Sequence, residues 1–105
     1  MTGIEFIEGL PSKVKAEAIE GLETVFHFDL DGEGGGKKTL VLKDNELIAH
    51  DGFVGEAKCV VRADADNFIK VVKGDLNPMM AVLTGKLKIS NQSEMIKYAK
   101  IFGLM

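Results

Sequence analysis

Between residues 24 and 31 apolar and polar side chains alternate. Phe26, Phe28 and Leu30 fall on one side, and Val25, His27, Asp29 and Asp31 on the other, the period of a half-buried strand. The pattern returns downstream. Leu40 and Leu42 mark a second strand over 39–43, residues 47–50 a third, and Cys59, Val61 and Ala63 a fourth over 57–63, with Val60 and Arg62 on its other face. Turn chemistry separates them: a glycine-rich loop at 32–36, the pair Asp44-Asn45, and Asp51-Gly52. Strands following one another this closely predict an antiparallel meander.

Helical patterning surrounds these strands. Residues 1–22 read as helical: Thr2 and Glu5 suit a capping box, Pro11 interrupts, and a second short helix over 12–21 turns Val14, Ala18 and Leu22 inward. After Asp64 the period changes to 3.6, with Phe68, Ile69, Val71 and Val72 on one arc and Lys70 and Lys73 opposite. Gly74 stops that helix. Asn77 caps the next and Pro78 opens it, giving up an N–H that has no partner in a first turn anyway. Gly85 ends it, and Leu87 and Ile89 alternate with Lys86, Lys88 and Ser90 as a fifth strand. Ser93 is expected to cap a last helix, with Glu94 in its first turn. Met95, Ile96, Tyr98, Ala99, Phe102 and Met105 share a wide arc there, and Lys97 and Lys100 lie on the other side. Ile101 and Leu104 fall off that arc and are expected to be exposed beside the lysines. Grouped strands, then helices, with one late strand, predict an α+β fold of five mainly antiparallel strands covered by helices on one face.

At 105 residues the chain is one domain, residues 1–105. A hydrophobic share of 46% with 28% charged residues excludes a disordered chain. The net charge is −3 and the basic residues are scattered, so nucleic acid is not an expected partner. Cys59 is the one cysteine. It has no internal disulfide partner and sits in an apolar run, where a small buried hydrophobe is the simplest reading. Neither a leader pattern nor an apolar run of ~18 residues is legible, so a cytoplasmic setting is expected.

Candidate chemistry is sparse. Gly32-Glu33-Gly34-Gly35-Gly36-Lys37 superficially resembles a phosphate cradle. However, Asp31 and Lys38 break the required spacing, and a strand follows instead of a helix. His27 and His50, even with Asp29 or Asp51 nearby, form no ligand spacing for a metal. The serines and threonines are accounted for as caps, strand polar positions and turns, with no base placed to activate them. No catalysis, metal or cofactor is therefore expected. The methionines Met79, Met80, Met95 and Met105 crowd the helical third of the chain. Methionine suits surfaces that adapt to ligands of varied shape, although plain core packing is the commoner use.

The run from Gly74 to Ser90 contains Gly74, Leu76, Asn77 and Pro78, a short apolar helix, then Gly85-Lys86-Leu87-Lys88-Ile89. It resembles the C-terminal signature of the sterol carrier protein 2 family of lipid-binding domains. The likeness extends over about residues 10–103, including the Phe-Asp-Leu-Asp-Gly start of the sheet at 28–32. Thr39 and Leu40 stand where many members have an aromatic residue, and Asp44-Asn45 where they often have Asp-Gly. The resemblance implies a twisted sheet with helices on one side and an apolar tunnel between. It implies non-enzymatic binding or transfer of a fatty acid, a fatty acyl-CoA, or a sterol- or isoprenoid-like lipid. The chain also lacks the Ser-Lys-Leu address of some eukaryotic members, which favours a prokaryotic protein.

Side chains on arcs opposite lysines within this segment are the expected lining: Phe68, Val72, Met79, Met80, Leu83, Met95, Ala99 and Phe102. The last helix is the expected gate, with a passing membrane contact through its apolar, lysine-flanked side. The alternative reading is a dimerisation or scaffold module that uses the same apolar helix surface, so a homodimer is the competing partner.

Overall fold

The computed structural model describes residues 1–104; the place of Met105 on the last helical arc lies outside them. Helix α1 (Gly3–Lys13) and the short α2 (Ala16–Ile19) precede strands β1 (Thr24–Asp31), β2 (Gly36–Lys43), β3 (Glu46–Asp51) and β4 (Cys59–Asp64). Then come α3 (Ala65–Lys73), α4 (Pro78–Leu83), β5 (Leu87–Ile89) and α5 (Gln92–Ala99).

The strands form one sheet in the order β3-β2-β1-β4-β5. β1, β2 and β3 are the expected antiparallel meander. Asp44 and Asn45 both take positive φ, 54° and 61°, as a two-residue hairpin turn requires. β4 pairs with β1 in parallel, and β5 with β4 antiparallel, so the sheet is mixed but mostly antiparallel. The register places Leu40 and Cys59 on either side of Phe26, and Val61 beside Phe28. These side chains form one apolar face, which the helices cover.

The N-terminal third differs from the sequence expectation. Pro11 does not interrupt the helix; α1 runs through it to Lys13. Proline removes one backbone bond, the one to Ile7, but it sits in the last turn, where little helix remains to be broken. The next bond, from the Val14 N–H to the Leu10 carbonyl, is intact at 3.0 Å. The Thr2–Glu5 capping box is present in both directions. The second helix is a single turn; Ile19 is its buried residue, whereas Ala18 is exposed.

The middle of the molecule is solid. Phe26 is surrounded by Phe102, Tyr98 and Phe28 at ring separations of 5.3, 5.8 and 6.0 Å, and Phe68 bridges Phe28 and Phe6 at 5.9 Å each. Mutually edge-on and offset rings fill this space densely. The candidate site lies beside it, over β4 and β5.

Candidate functional site

α3 aims Phe68 and Val71, one turn apart, over β4 and β5. β4 contributes Val61, and β5 contributes Leu87 and Ile89 from the same face, because Ile89 pairs with Val61 and Leu87 with Ala63. α4 brings Pro78, Met79, Val82 and Leu83, and α5 brings Met95, Ile96 and Ala99, with Leu104 just beyond it. Together they bound a cavity of about 530 Å³, within the size range of ligand pockets. Asn77 and Gln92 are the polar side chains on its wall, and both are exposed at the rim. The cavity opens to solvent between α4 and α5, where Met79, Leu83 and Ile96 are 74, 76 and 70% exposed.

Phe68, Met79, Leu83, Met95 and Ala99 are brought together on this wall; Val72, Met80 and Phe102 are not. Helical geometry explains the split. Val72 follows Val71 by about 100° of rotation and sits half-buried on the flank of α3. Met80 follows Met79 by the same angle and projects into solvent, 53% exposed. Phe102 is fully buried against Phe26 and Tyr98, behind the cavity rather than on it. The wide apolar arc of the last helix therefore serves two neighbours: Met95 and Ala99 face the cavity, while Tyr98 and Phe102 complete the aromatic core.

Sequence reasoning missed Val61, Val71, Val82, Leu87, Ile89, Ile96 and Leu104 as lining. Val82 stood at the i+3 position from Met79, and β5 alternation already grouped Leu87 with Ile89. Leu104 is buried on the cavity wall and Ile101 is half-buried, so this pair is not the exposed patch that the arc suggested. The chain turns sharply after Phe102, with a hydrogen bond from the Leu104 N–H to the Ala99 carbonyl (2.8 Å) and positive φ at Gly103. That turn folds Leu104 back inward.

The two helices that frame the mouth are held differently. α5 is capped by Asn91, not Ser93: Asn91 Oδ1 accepts from the Glu94 N–H at 3.1 Å while its Nδ2 donates to the Lys58 carbonyl at 3.0 Å. The Thr24 hydroxyl donates to the Glu94 carboxylate at 2.6 Å, and the Tyr98 hydroxyl donates to the Glu23 carbonyl at 3.2 Å. In α4 Ala81 is the buried residue. Asn77 caps it, accepting from the N–H groups of Met79 and Met80 at 2.9 and 3.3 Å. Gly74 and Gly85 bracket it at φ 83° and 76°.

Reactive groups are scarce. The Cys59 thiol is buried and its pKa is pushed up by that burial, which keeps it protonated and inert. The Tyr98 hydroxyl is likewise raised by desolvation. His27 stacks on Phe53 at 4.6 Å, with Nε2 3.1 Å from the Val54 carbonyl, on the sheet face away from the cavity. A second depression, about 520 Å³, lies among Asp29, Asp31, Arg62, Asp64, Lys86 and Lys88. Its charges compensate one another, as in Arg62–Asp29 at 3.7 Å. Among the described residues no group of three or more His, Cys, Asp or Glu is placed to hold a metal ion. No helix among them is long and apolar enough to cross a membrane.

An open mixed sheet, one helical layer and an apolar cleft between them define a two-layer α+β fold. The profile of the SCP-2 sterol transfer family matches residues 5–100, and the chain belongs to that family. Hydroxysteroid dehydrogenase-like protein 2 of Xenopus tropicalis is 33% identical over 103 residues, 96% of this chain but 25% of that protein. The chain thus spans about a quarter of the length of the curated relatives it matches. Apo sterol carrier protein 2 from Yarrowia lipolytica superposes with a TM-score of 0.66 at 26% identity, covering 95% of this chain and 84% of that one. The sec-alkylsulfatase Pisa1 from Pseudomonas sp. shares the fold at a TM-score of 0.78 and 17% identity, over 100% of this chain and 16% of that one.

Proposed function

We propose that this chain binds and transfers an apolar lipid in the cleft between α4, α5 and β5, without chemically converting it, in the cytoplasm. The ligand class is a fatty acid, a fatty acyl-CoA, or a sterol- or isoprenoid-like molecule. The observation that carries this reading is the cleft itself, about 530 Å³ with a hydrocarbon wall and its polar side chains confined to the rim. A polar group pushed inside would lose its water and gain no hydrogen bond, so the ligand's polar end stays at the mouth. Each buried methylene contributes about 0.8 kcal/mol. Ten give a gross gain of about 8 kcal/mol, which association and ordering reduce; the expected affinity is on the micromolar scale, with little discrimination of chain length. The lipid-contacting side chains in this reading are Phe68, Met79, Leu83, Met95 and Ala99, joined by Val61, Val82 and Leu87. Membership of a sterol-transfer family supports the same reading.

Titration with a fluorescent fatty acid tests it. The wild type binds saturably. Met79→Glu and Leu83→Glu change exposed positions on the cleft wall, leave folding intact and weaken binding about tenfold or more. Met80→Glu, one residue away but off the wall, binds as the wild type does. Absence of saturable binding in the wild type, or equal losses in all three variants, refutes the proposal. The exposure of Met79, Leu83 and Ile96 also suits a dimerisation module. Sedimentation showing a concentration-dependent dimer, with no lipid extracted from the purified protein, would favour that second reading.

A further inference from the structure

The sulfur atoms of the described residues meet water very differently. Met1, Met79 and Met80 are exposed, Met79 most of all at 74%, whereas Met95 is 7% exposed and Cys59 is fully buried. Met79 and Met95 stand on the cleft wall; Met1, Met80 and Cys59 do not. Among the described residues, Met79 is therefore the sulfur that combines open access for a solvent oxidant with a place in the apolar wall. Its neighbour Met80 has the same chemistry and is also exposed, but it lies about 100° further round α4 and faces away from the cleft.

We propose that Met79 is a redox modification site: a peroxide converts its thioether to the sulfoxide, and the cleft then lets its lipid go. The sulfur lone pair attacks one oxygen of hydrogen peroxide and the O–O bond breaks. The proton of the transferred hydroxyl passes to the departing hydroxide, giving water; sulfur is oxidised by two electrons and the peroxide reduced by two. The product is a polar side chain in place of a flexible apolar one. Held against a lipid, the sulfoxide oxygen loses its water at a hydrocarbon surface. Turned outward, it withdraws the side chain from the wall. Both outcomes disfavour the filled cleft and leave the empty one unchanged. A bound lipid covers Met79 in turn, so the empty cleft is the form more readily switched. The proposal rests on the lipid-carrier reading and adds its regulation. The reversible step is the sulfoxide, which methionine sulfoxide reductases return to the thioether.

The experiment treats the full chain with hydrogen peroxide, stops the reaction before Met95 is converted, and removes the oxidant. Peptide mass spectrometry follows each methionine, and a fluorescent fatty acid is then titrated. Met79 and Met80 are expected to react well before Met95, and a saturated long-chain fatty acid to slow Met79 but not Met80. With Met79 converted, affinity is expected to fall about tenfold or more, while the melting temperature of the lipid-free protein stays the same. Sulfoxide reductase treatment restores the affinity. Met80→Leu, off the wall, is expected to bind and respond as the wild type does. Met79→Leu is compared with itself before and after peroxide, and is expected to show no change. Affinity retained with Met79 fully converted, the same loss in Met79→Leu, equal protection of Met79 and Met80 by the fatty acid, or a loss that comes only with unfolding overturns the proposal and leaves the carrier reading standing. Absence of saturable binding by the reduced wild type removes both.

Discussion

Lys38 is a charged side chain on the apolar face of the sheet, buried near the start of β2. It is held there by ion pairs with Asp51 and with Glu8, the latter at 2.8 Å, which tie α1 to β2 and β3. Its pKa is raised from 10.5 by the hydrogen bond to Asp51 and then by that to Glu8; that of Asp51 is lowered from 3.8 by the bond to Lys38. The Thr2 backbone and hydroxyl lower Glu5 from 4.5. Depressed carboxylates contribute stability above about pH 4–5 that is lost as pH falls through their folded values. The raised lysine contributes below its ordinary value, and that contribution is lost as pH climbs through the folded one. Melting temperature is thus expected to be flat, as far as these groups go, between about pH 5 and 10. Lys38→Met should soften the alkaline fall and part of the acid one, and identical pH profiles for variant and wild type would contradict this assignment. Asp51 is largely exposed, so salt weakens the effect. The sequence showed a lysine on a strand; it did not show the carboxylates of Glu8 and Asp51, 30 and 13 residues away, that let it stay buried. Cys59 is the opposite case. Its apolar neighbours predict a buried thiol, and the structure has one. Alkylating reagents are expected to label it only on unfolding; rapid labelling of the native protein would contradict that.

Local elements were the most legible in sequence. The caps at Thr2 and Asn77, the glycine stops after α3 and α4, and the Asp44-Asn45 hairpin all depend on neighbours within a few residues. What depends on distant partners was not legible. Asn91 outcompetes Ser93 as the α5 cap because the Lys58 carbonyl anchors its amide. β4 inserts beside β1 because Cys59 and Val61 complete the face begun by Phe26 and Phe28. A difference in anchoring makes α4, and not α5, the wall expected to move. The last helix was the expected gate, yet α5 is pinned by Asn91, Glu94 and Tyr98, whereas α4 rests on Ala81 between two left-handed glycines. Hydrogen exchange is expected to be faster in α4 than in α5. Asn77→Ala removes a cap worth about 1 kcal/mol, so α4 exchange should quicken about fivefold with little change in the global melt. Asn91→Ala, which loosens α5 from the sheet, should lower the global melt instead. Equal exchange in the two helices would return the gate to α5.

At the scale of the whole molecule, the sheet supports two different interiors: a close-packed aromatic half and a half left open. A sealed dry void of 530 Å³ would cost about 13 kcal/mol at about 24 cal/mol per Å³, as much as a domain of this size has to lose. The cleft avoids that cost by opening to water at its mouth, so the unliganded fold is stable but incompletely buried. A ligand that fills the cleft binds only the folded state and must therefore stabilise it. At a free concentration one hundred times Kd the gain is about 2.7 kcal/mol, which for a domain of about 100 residues raises Tm by about 10 °C or more. Calorimetry of delipidated protein with and without a long-chain fatty acid measures it directly. Leu83→Glu should melt near the unliganded wild type and show little shift, because the substitution touches the wall of the cleft and not the aromatic half. An unchanged wild-type Tm under saturating lipid would mean that the cleft closes on its own side chains, and that the open half of the molecule serves some purpose other than holding a lipid.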